Sequence, residues 1–188
     1  MENILKREIF AGGVSVKMLV TAGLFAALGC AATMVLQNPS PTGGYMNLGD
    51  TAVVLGAWLL GPVYGAAAGG IGPAMADLLS GYAVYVPATL IIKAAMAFMA
   101  ALLYRALGKR GLILCAAAAE TLMVLGYWLF DALLAAFSGG GAFSLCLMGS
   151  AAGIPSNLVQ AVFGVSASTL LALALRRSAY VRRRFPSL

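Results

Sequence analysis

The apolar positions of this chain form long runs that follow one another from residue 16 to residue 175. The runs are rich in Ala, Leu and Gly and lack alternation of polar and apolar residues, which predicts helices and not strands. Polar breaks and breaks containing Pro or Gly separate six such runs. The predicted helices cover residues 16–37, 48–60, 62–80, 87–107, 111–137 and 152–175.

The composition indicates that these helices lie in a membrane. Of the 188 residues, 62% are hydrophobic and only 10% are charged, and the mean hydropathy is +0.94. A soluble domain carries about 25% charged residues. Because lipid admits only helices and closed barrels, we expect an all-α membrane protein, a six-transmembrane-helix bundle in one domain over residues 1–188. The 48–60 run is shorter than the ~20 residues that cross a bilayer, so either neighbouring helices shield it or it lies deep in the bundle.

The basic residues predict how the bundle is oriented. Eleven of the twelve Lys and Arg residues fall into three clusters: Lys6, Arg7 and Lys17; Arg105, Lys109 and Arg110; and Arg176, Arg177, Arg182, Arg183 and Arg184. The loops at 38–47, 81–86 and 138–150 contain none. The positive-inside rule places the clusters, and therefore both termini, in the cytoplasm. Basic residues confined to helix ends do not form a face that grips phosphates, so no nucleic-acid partner is expected.

Most polar residues of the predicted helices lie in the outer half of the bundle, and only Glu120 lies deeper. Ionisable residues inside a bundle indicate function by default. Five aromatic residues lie at the same level, where membrane-interface anchoring is an alternative role: Tyr45, Tyr82, Tyr85, Tyr127 and Trp128. Amides, mixed charges and rings suit a small polar solute that contains a ring. The predicted substrate-binding residues are Asn47, Tyr82, Tyr85, Lys93, Trp128, Asp131, Asn157 and Gln160.

Two interpretations of Lys93 stay open. One is a structural ion pair with Asp77, since a lysine ammonium can reach along its helix toward the surface. The other is direct contact between Lys93 and the solute. Glu120 is interpreted as a buried group, either partnered or neutral, and not as a ligand contact.

Several classes of chemistry are excluded. The chain has no histidine and no P-loop, which excludes Ser-His catalysis, His-Glu-x-x-His metal sites and ATP hydrolysis by a P-loop. Cys30, Cys115 and Cys146 stand singly, without metal-ligand spacing. The "NLGD" at 47–50 lacks the first glycine and the Tyr-Asp partner of an intramembrane aspartyl protease. We therefore expect no enzyme, no cofactor and no metal.

A specific series of residues carries a family resemblance. Residues 47–97 read "NLGDTAVVLGAWLLGPVYGAAAGGIGPAMADLLSGYAVYVPATLIIKAAMA", and residues 154–165 read "IPSNLVQAVFGV". The first helix adds small residues at i, i+4 spacing: Ala22 with Ala26, Gly23 with Ala27, and Ala27 with Ala31. Over residues 18–172 the chain resembles the S component, the substrate-binding membrane subunit, of energy-coupling factor (ECF) vitamin transporters. It looks most like the branch assigned to riboflavin, pyridoxine-type or hydroxymethylpyrimidine uptake.

The resemblance implies a function. S components bind a vitamin in their outer half beneath a gating loop, which here would be residues 38–47. They associate through an alanine motif on helix one, matched here by Ala22 and Ala26, with a transmembrane coupling subunit and two ATPase subunits. The expected protein is therefore a multi-pass subunit of a prokaryotic plasma-membrane importer, with a B6-type or pyrimidine ring favoured over riboflavin. The alternatives are a stand-alone secondary transporter or channel, or a structural membrane assembly protein.

Overall fold

The computed structural model describes residues 15–139 and 141–184, apart from the side chains of residues 182 and 184. The helices are α1 Val16–Val35, α2 Asp50–Leu79, α3 Val86–Leu107, α4 Leu112–Gly139, α5 Phe143–Ser150, α6 Ile154–Leu175 and α7 Ala179–Arg184. Turns of 3-10 helix, Gly108–Gly111 and Ala151–Gly153, precede α4 and α6. The strands β1 Asn38–Pro39 and β2 Tyr45–Met46 pair antiparallel in a short hairpin between α1 and α2.

Nearly all of this structure is helical, as the apolar pattern predicts. Four continuous helical stretches are long and apolar enough to cross a membrane, and they cover residues 16–35, 50–79, 86–139 and 143–175. The third stretch contains both α3 and α4, which the 3-10 turn joins. A nearly all-helical fold with membrane-capable helices is thus confirmed, and the count of six crossings stays a prediction. The segment 138–150, expected to be a loop, contains the short helix α5.

Helix α2 consists of two halves that fold back on each other. Gly61 interrupts it with φ 80°, a backbone conformation that residues other than glycine rarely adopt. A Cβ added at Gly65 would lie 2.7 Å from Ala57 Cα, and one at Gly69 would lie 3.0 Å from Val53 Cγ1. Residues 50–60 and 62–79 therefore run antiparallel in close contact. Residues 52–60 are all buried, which is the shielding expected for this short segment.

The hydrophobic core surrounds α2, which packs against α1 on one side and α3 on the other. Small residues allow the helices to approach closely, and at Gly72 an added Cβ would collide with the carbonyl oxygen of Ala26 on α1. Representative core residues are Val53, Val54, Trp58, Met96, Ala97, Ala100, Ala116, Ala119 and Met123.

Contact of Ala22 and Ala26 with a partner subunit stays a prediction, and neither residue lies on the fully exposed face of α1. Ala22 is only 6% exposed, and Ala26 is half-buried against α2. The exposed small residues of α1 are Gly23, Ala27 and Ala31, which form a second i, i+4 series on a face rotated by about 100° around the helix. Sequence spacing alone fits both series, and packing against α2 decides between them.

Basic residues gather where α3 and α6 end. Arg105 lies in the last turn of α3, and Lys109 and Arg110 follow in the 3-10 turn. Arg176, which follows α6, donates to the carbonyl oxygen of Lys109 at 3.4 Å. The two basic clusters therefore lie side by side at one end of the bundle. Lys6 and Arg7 lie outside the described residues.

Candidate ligand-binding site

A small cavity of about 30 Å³ lies beneath the β1–β2 hairpin, at the opposite end of the bundle from the basic clusters. The hairpin forms its roof, and α2, α3, α4 and α6 form its walls. Its lining is mostly polar or aromatic and consists of Ser40, Thr42, Gly44, Tyr45, Asn47, Asp77, Tyr85, Thr89, Tyr127, Asp131, Asn157 and Gln160.

Hydrogen bonds hold the hairpin over this cavity. The backbone N–H of Asn47 donates to Gln160 Oε1 at 2.8 Å. The hydroxyls of Ser40 and Ser156 share a hydrogen bond at 3.1 Å. The hydroxyl of Tyr85 lies 3.2 Å from the carbonyl oxygen of Thr42 and 3.0 Å from Asp131 Oδ1. The hairpin is thus fastened to α6 and to the start of α3, while its own strand pairing involves only two residues on each side.

A buried charged network lies below the cavity. Lys93 and Asp50 form an ion pair, and they are 0% and 1% exposed. The amide of Gln160 donates to the other Asp50 oxygen at 2.6 Å, so the residue that holds the hairpin also contacts the ion pair. The Lys93 ammonium also lies 5.4 Å from the ring centre of Tyr127. A buried ion pair stabilises a fold only when its remaining hydrogen-bonding groups find partners, and Gln160 and Tyr127 supply such contacts.

Of the two open interpretations of Lys93, the ion pair with Asp77 is wrong, because Lys93 pairs with Asp50. The carbonyl oxygen of Lys93 lies 3.6 Å from a Cβ added at Gly69, so Lys93 is level with that part of α2. Asp77 lies eight residues further along the helix, which is ~12 Å at ~1.5 Å per residue. The antiparallel half of α2 brings Asp50 to the depth of Lys93 instead.

Asp77 forms a different contact at the side of the cavity. Its Oδ1 accepts a hydrogen bond of 2.5 Å from the hydroxyl of Tyr45 in the hairpin. Burial and the adjacent Asp77 carboxyl raise the pKa of Tyr45, so this phenol stays a neutral donor at physiological pH. The second oxygen of Asp77 is buried and has no partner among the described residues.

Glu120 lies beside the charged network. It is 1% exposed, and neither carboxyl oxygen has a protein partner among the described residues. Gly164 on α6 leaves the space that this carboxyl occupies, because a Cβ added there would collide with Glu120 and lie 3.2 Å from Asp50 Cβ. Glu120 is thus buried, as expected, and it is not among the residues that line the cavity beneath the hairpin.

Comparison with known proteins shows which family the chain belongs to. A family model described as "ECF-type riboflavin transporter, S component" matches residues 13–177. The chain belongs to this family. Its members are substrate-binding components of transporters and not enzymes.

Two further comparisons concern the S component fold and a partial relative. A crystal structure of the S-component for biotin from an ECF-type ABC transporter superposes with a TM-score of 0.62, covering 92% of this chain and 100% of that chain. The sequence identity is 17%, so this likeness concerns the fold alone. A Pyrococcus woesei protein described as "Uncharacterized protein in gap 3'region" is 45% identical over 62 residues, which is 32% of this chain. The match spans 41% of that relative's length.

The cavity of this S component contains most of the residues expected from the sequence. Asn47, Tyr85, Asp131, Asn157 and Gln160 line it. Tyr82 lies at its edge, with its ring centre 4.6 Å from that of Tyr45. These positions place the residues around a cavity; their contact with a substrate stays a prediction.

Besides Tyr82, two expected residues are not among those that line the cavity. Lys93 is buried in its ion pair with Asp50 below the cavity. Trp128 donates its indole N–H to the carbonyl oxygen of Leu147 at 3.0 Å and so packs against α5. Its neighbour Tyr127 lines the cavity instead, since successive helix positions differ by about 100°.

Other lining residues were not among the predicted binding residues. Ser40, Thr42 and Tyr45 belong to the polar loop that the sequence marks between the first two helices. Thr89 and Tyr127 each precede a predicted residue, Lys93 and Asp131, by four positions and therefore share its helix face. That spacing is a signal by which they are recognisable. Tyr127 donates to Thr89 at 2.9 Å, which links α4 to α3 across the cavity wall.

Proposed function

We propose that this S component captures a small heteroaromatic vitamin in the cavity beneath the hairpin, as the binding subunit of an ATP-driven ECF importer. The observation that supports this most is the roof itself. A hairpin with very short strands covers a polar, aromatic cavity and is fastened by side chains of the same cavity, Gln160 and Tyr85. Such a roof can lift without disturbing the helices.

The size of the cavity supports opening as part of binding. About 30 Å³ is room for a water molecule, whereas pockets for small-molecule ligands measure ~300–1,000 Å³. A vitamin therefore enters when the hairpin moves away from α6, and the hairpin closes over it afterwards. The hydrogen bonds of the closed roof oppose opening and slow the release of a bound ligand.

The residues that line the cavity favour a ligand whose ring carries several hydrogen-bonding groups. Tyr45, Tyr85 and Tyr127 offer faces or edges to a ring, and the amides of Asn157 and Gln160 can act as donors and acceptors. Asp77 and Asp131 add carboxyl acceptors. We infer a single-ring solute of the B6 or pyrimidine-precursor type ahead of riboflavin, because the compact cavity needs the smaller expansion for a single ring. Riboflavin, which the family description names, is the second candidate.

A thermal-unfolding panel tests the substrate. Purified protein is heated with pyridoxine, hydroxymethylpyrimidine, riboflavin or biotin, and one vitamin should stabilise it by ~2.7 kcal/mol at a hundredfold excess over its Kd. Asn157→Leu should abolish that stabilisation, whereas Val159→Ala, an outward-facing change on the same helix, should retain it. Failure of every vitamin to stabilise the protein would contradict vitamin binding and favour a structural role.

The proposed topology places the two halves of α2 as separate crossings, which gives six crossings. Both termini and the basic clusters then lie in the cytoplasm of a prokaryotic cell, and the hairpin faces outward. Cysteines introduced one at a time into the hairpin and beside Arg110 show which side of the membrane each position faces. A membrane-impermeant thiol reagent added to whole cells should label only the hairpin position.

The coupling subunit is proposed to dock on the exposed face of α1. Gly23, Ala27 and Ala31 leave a flat surface there, and no described residue lies within 4 Å of a Cβ added at Gly23. Ala27→Leu should lower co-purification with the coupling subunit and the two ATPase subunits. The matched change Ala67→Leu, also exposed but on α2, should not. Vitamin uptake that persists in cells without these ATPase subunits would instead identify a stand-alone transporter.

A further inference from the structure

A second, larger cavity lies at the basic end of the bundle. Its volume is about 490 Å³, and it opens where α2 turns at Gly61, beside the last turn of α3 and the start of α1. No part of the vitamin cavity contributes to it, because the two linings share no residue. It is therefore a separate feature, independent of the proposed vitamin function.

The lining of this basic-end cavity divides into an apolar part and a basic part. Met18, Leu59 and Leu60 supply apolar surface from α1 and α2. Arg105 and Lys109 supply positive charge, and both side chains are exposed. Arg176 donates to the hydroxyl of Tyr104 in the cavity wall at 3.1 Å, which brings a third cation to the same place. An amphiphile with an anionic head matches this division.

A buried hydrogen-bond donor in the cavity wall, the Trp58 indole, is a second and independent indication of a ligand. Trp58 lines the basic-end cavity and is only 2% exposed, and its ring centre lies 5.7 Å from that of Tyr104. Its indole Nε1 is buried and has no acceptor among the described residues. An indole nitrogen can only donate, and buried donors are nearly always paired. The nitrogen is closed off in this structure, so an acceptor oxygen from outside the chain reaches and satisfies it only when the side chains around it move.

We propose that this cavity binds the phosphate headgroup of an anionic membrane lipid. The headgroup oxygens accept hydrogen bonds from the Trp58 indole and interact with Arg105 and Lys109, while an acyl chain lies along the apolar wall. Basic pockets between transmembrane helices bind anionic headgroups in this way. A free phosphate ion would use the cations but leave the apolar wall uncovered, and a cavity of about 490 Å³ is much larger than that ion needs.

The two tryptophans of the chain make this site directly measurable. Trp128→Phe leaves Trp58 as the sole tryptophan, and Trp58→Phe leaves Trp128 at the other end of the bundle. The probe is phosphatidylglycerol brominated on its acyl chains, titrated into protein held in phosphatidylcholine nanodiscs. Trp58 fluorescence should be quenched at lower mole fractions by brominated phosphatidylglycerol than by brominated phosphatidylcholine, whereas Trp128 should show no such preference.

Charge variants separate a defined site from general attraction to the bilayer. Lys109→Gln, in the protein whose only tryptophan is Trp58, should raise the phosphatidylglycerol fraction needed for half quenching about fivefold. Arg110→Gln removes an adjacent exposed charge that does not line the cavity and should change it little. Both side chains are exposed, so loss of folding does not confuse this comparison.

Three results would overturn the proposal. Equal quenching of Trp58 by the two lipids, or equal effects of Lys109→Gln and Arg110→Gln, would leave only nonspecific attraction. Relief of the quenching by inorganic phosphate at matched ionic strength would identify a free-anion site. Absence of a lipid preference together with weaker co-purification of the coupling subunit by Lys109→Gln would assign the cavity to a protein partner.

Discussion

The two ends of this S component use charge in opposite ways. At the hairpin end, Asp50 and Lys93 are fully buried and paired with each other, and Gln160 donates a hydrogen bond to Asp50. At the other end, Arg105, Lys109 and Arg110 are exposed around the rim of the bundle. The same residue type, lysine, is a structural core residue at position 93 and a rim residue at position 109.

This difference shows what fixes each end of the molecule. The hairpin end depends on contacts between residues far apart in sequence, such as Gln160 with Asp50 and Asn47, which join α6 to α2 and to the hairpin. The basic end depends on apolar packing, for example of Ala100, Ala101 and Tyr104. Replacement of a single polar residue should therefore destabilise the hairpin end strongly and the basic end weakly.

The largest effect is expected from Lys93→Met. It leaves Asp50 buried without a counter-charge, and breaking a buried pair costs ~3–5 kcal/mol of unfolding free energy. Thermal unfolding in detergent measures this. Lys109→Met, which removes an exposed lysine at the other end, should change stability by less than ~0.5 kcal/mol. The double variant Asp50→Asn with Lys93→Met should recover part of the loss. A folded and equally stable Lys93→Met protein that no longer binds vitamin would make Lys93 a ligand contact instead.

A smaller loss is expected from Gly164→Ala. The new methyl group would meet the carboxyl of Glu120 beside Asp50, and overpacking of this kind costs ~1–3 kcal/mol. The matched change Gly149→Ala adds a methyl group where no described residue lies within 4 Å, so the stability of this variant should be unchanged or slightly higher. If the unfolding curves of the two variants coincide, the Glu120 side chain moves aside at no cost in stability and the prediction is wrong.

A local effect on the hairpin is expected from Gln160→Met. The Asn47 amide loses its acceptor and Asp50 loses a donor, and a hydrogen bond of this kind contributes ~0.5–1.5 kcal/mol. Hydrogen exchange of the segment 45–49 should accelerate up to ~10-fold, because 1.4 kcal/mol corresponds to a factor of ten. Exchange in the segment 104–111 at the basic end should stay the same. Unchanged exchange in the hairpin would mean that its other contacts suffice to hold it.

The smallest effects compare two neighbours on α4. Tyr127→Phe removes the hydrogen bond to Thr89 in the cavity wall and should weaken vitamin affinity up to ~5-fold, equivalent to ~1 kcal/mol. Trp128→Phe removes the hydrogen bond to Leu147, which lies away from the cavity, and should leave affinity unchanged. Calorimetric titration of both proteins with the stabilising vitamin decides this. Weaker binding by Trp128→Phe alone would restore Trp128 to the site.

The sequence predicts the parts of this structure that depend on local pattern. The "GP" at 61–62 lies where α2 turns, the polar loop at 38–47 contains the hairpin, and Asn157 and Gln160 share the cavity face of α6. Periodicity and turn residues carry this information without knowledge of the neighbouring helices.

What the sequence does not predict depends on how the helices rotate and slide against one another. The partner of Lys93 follows from the depth at which α3 meets the two halves of α2, which favours Asp50 over Asp77. A rotation of α4 by about 100° about its own axis would put Trp128 in the cavity in place of Tyr127. Likewise, the choice between the Ala22 and Gly23 faces of α1 is set by contact with α2. All three features depend on packing between residues that are far apart in the sequence.

A reversible lock on the hairpin tests the central claim most directly. Ser40 and Ser156 already touch through their hydroxyls at 3.1 Å, so cysteines at both positions, with Cys30, Cys115 and Cys146 replaced by serine, should form a disulfide that holds the hairpin against α6. Binding of the vitamin that stabilises the protein most in the thermal panel is then measured before and after reduction. We predict no binding by the oxidised protein, full binding after reduction, and unaffected binding by the single variant Ser40→Cys. Binding of equal rate and affinity with the disulfide intact would contradict entry beneath the hairpin.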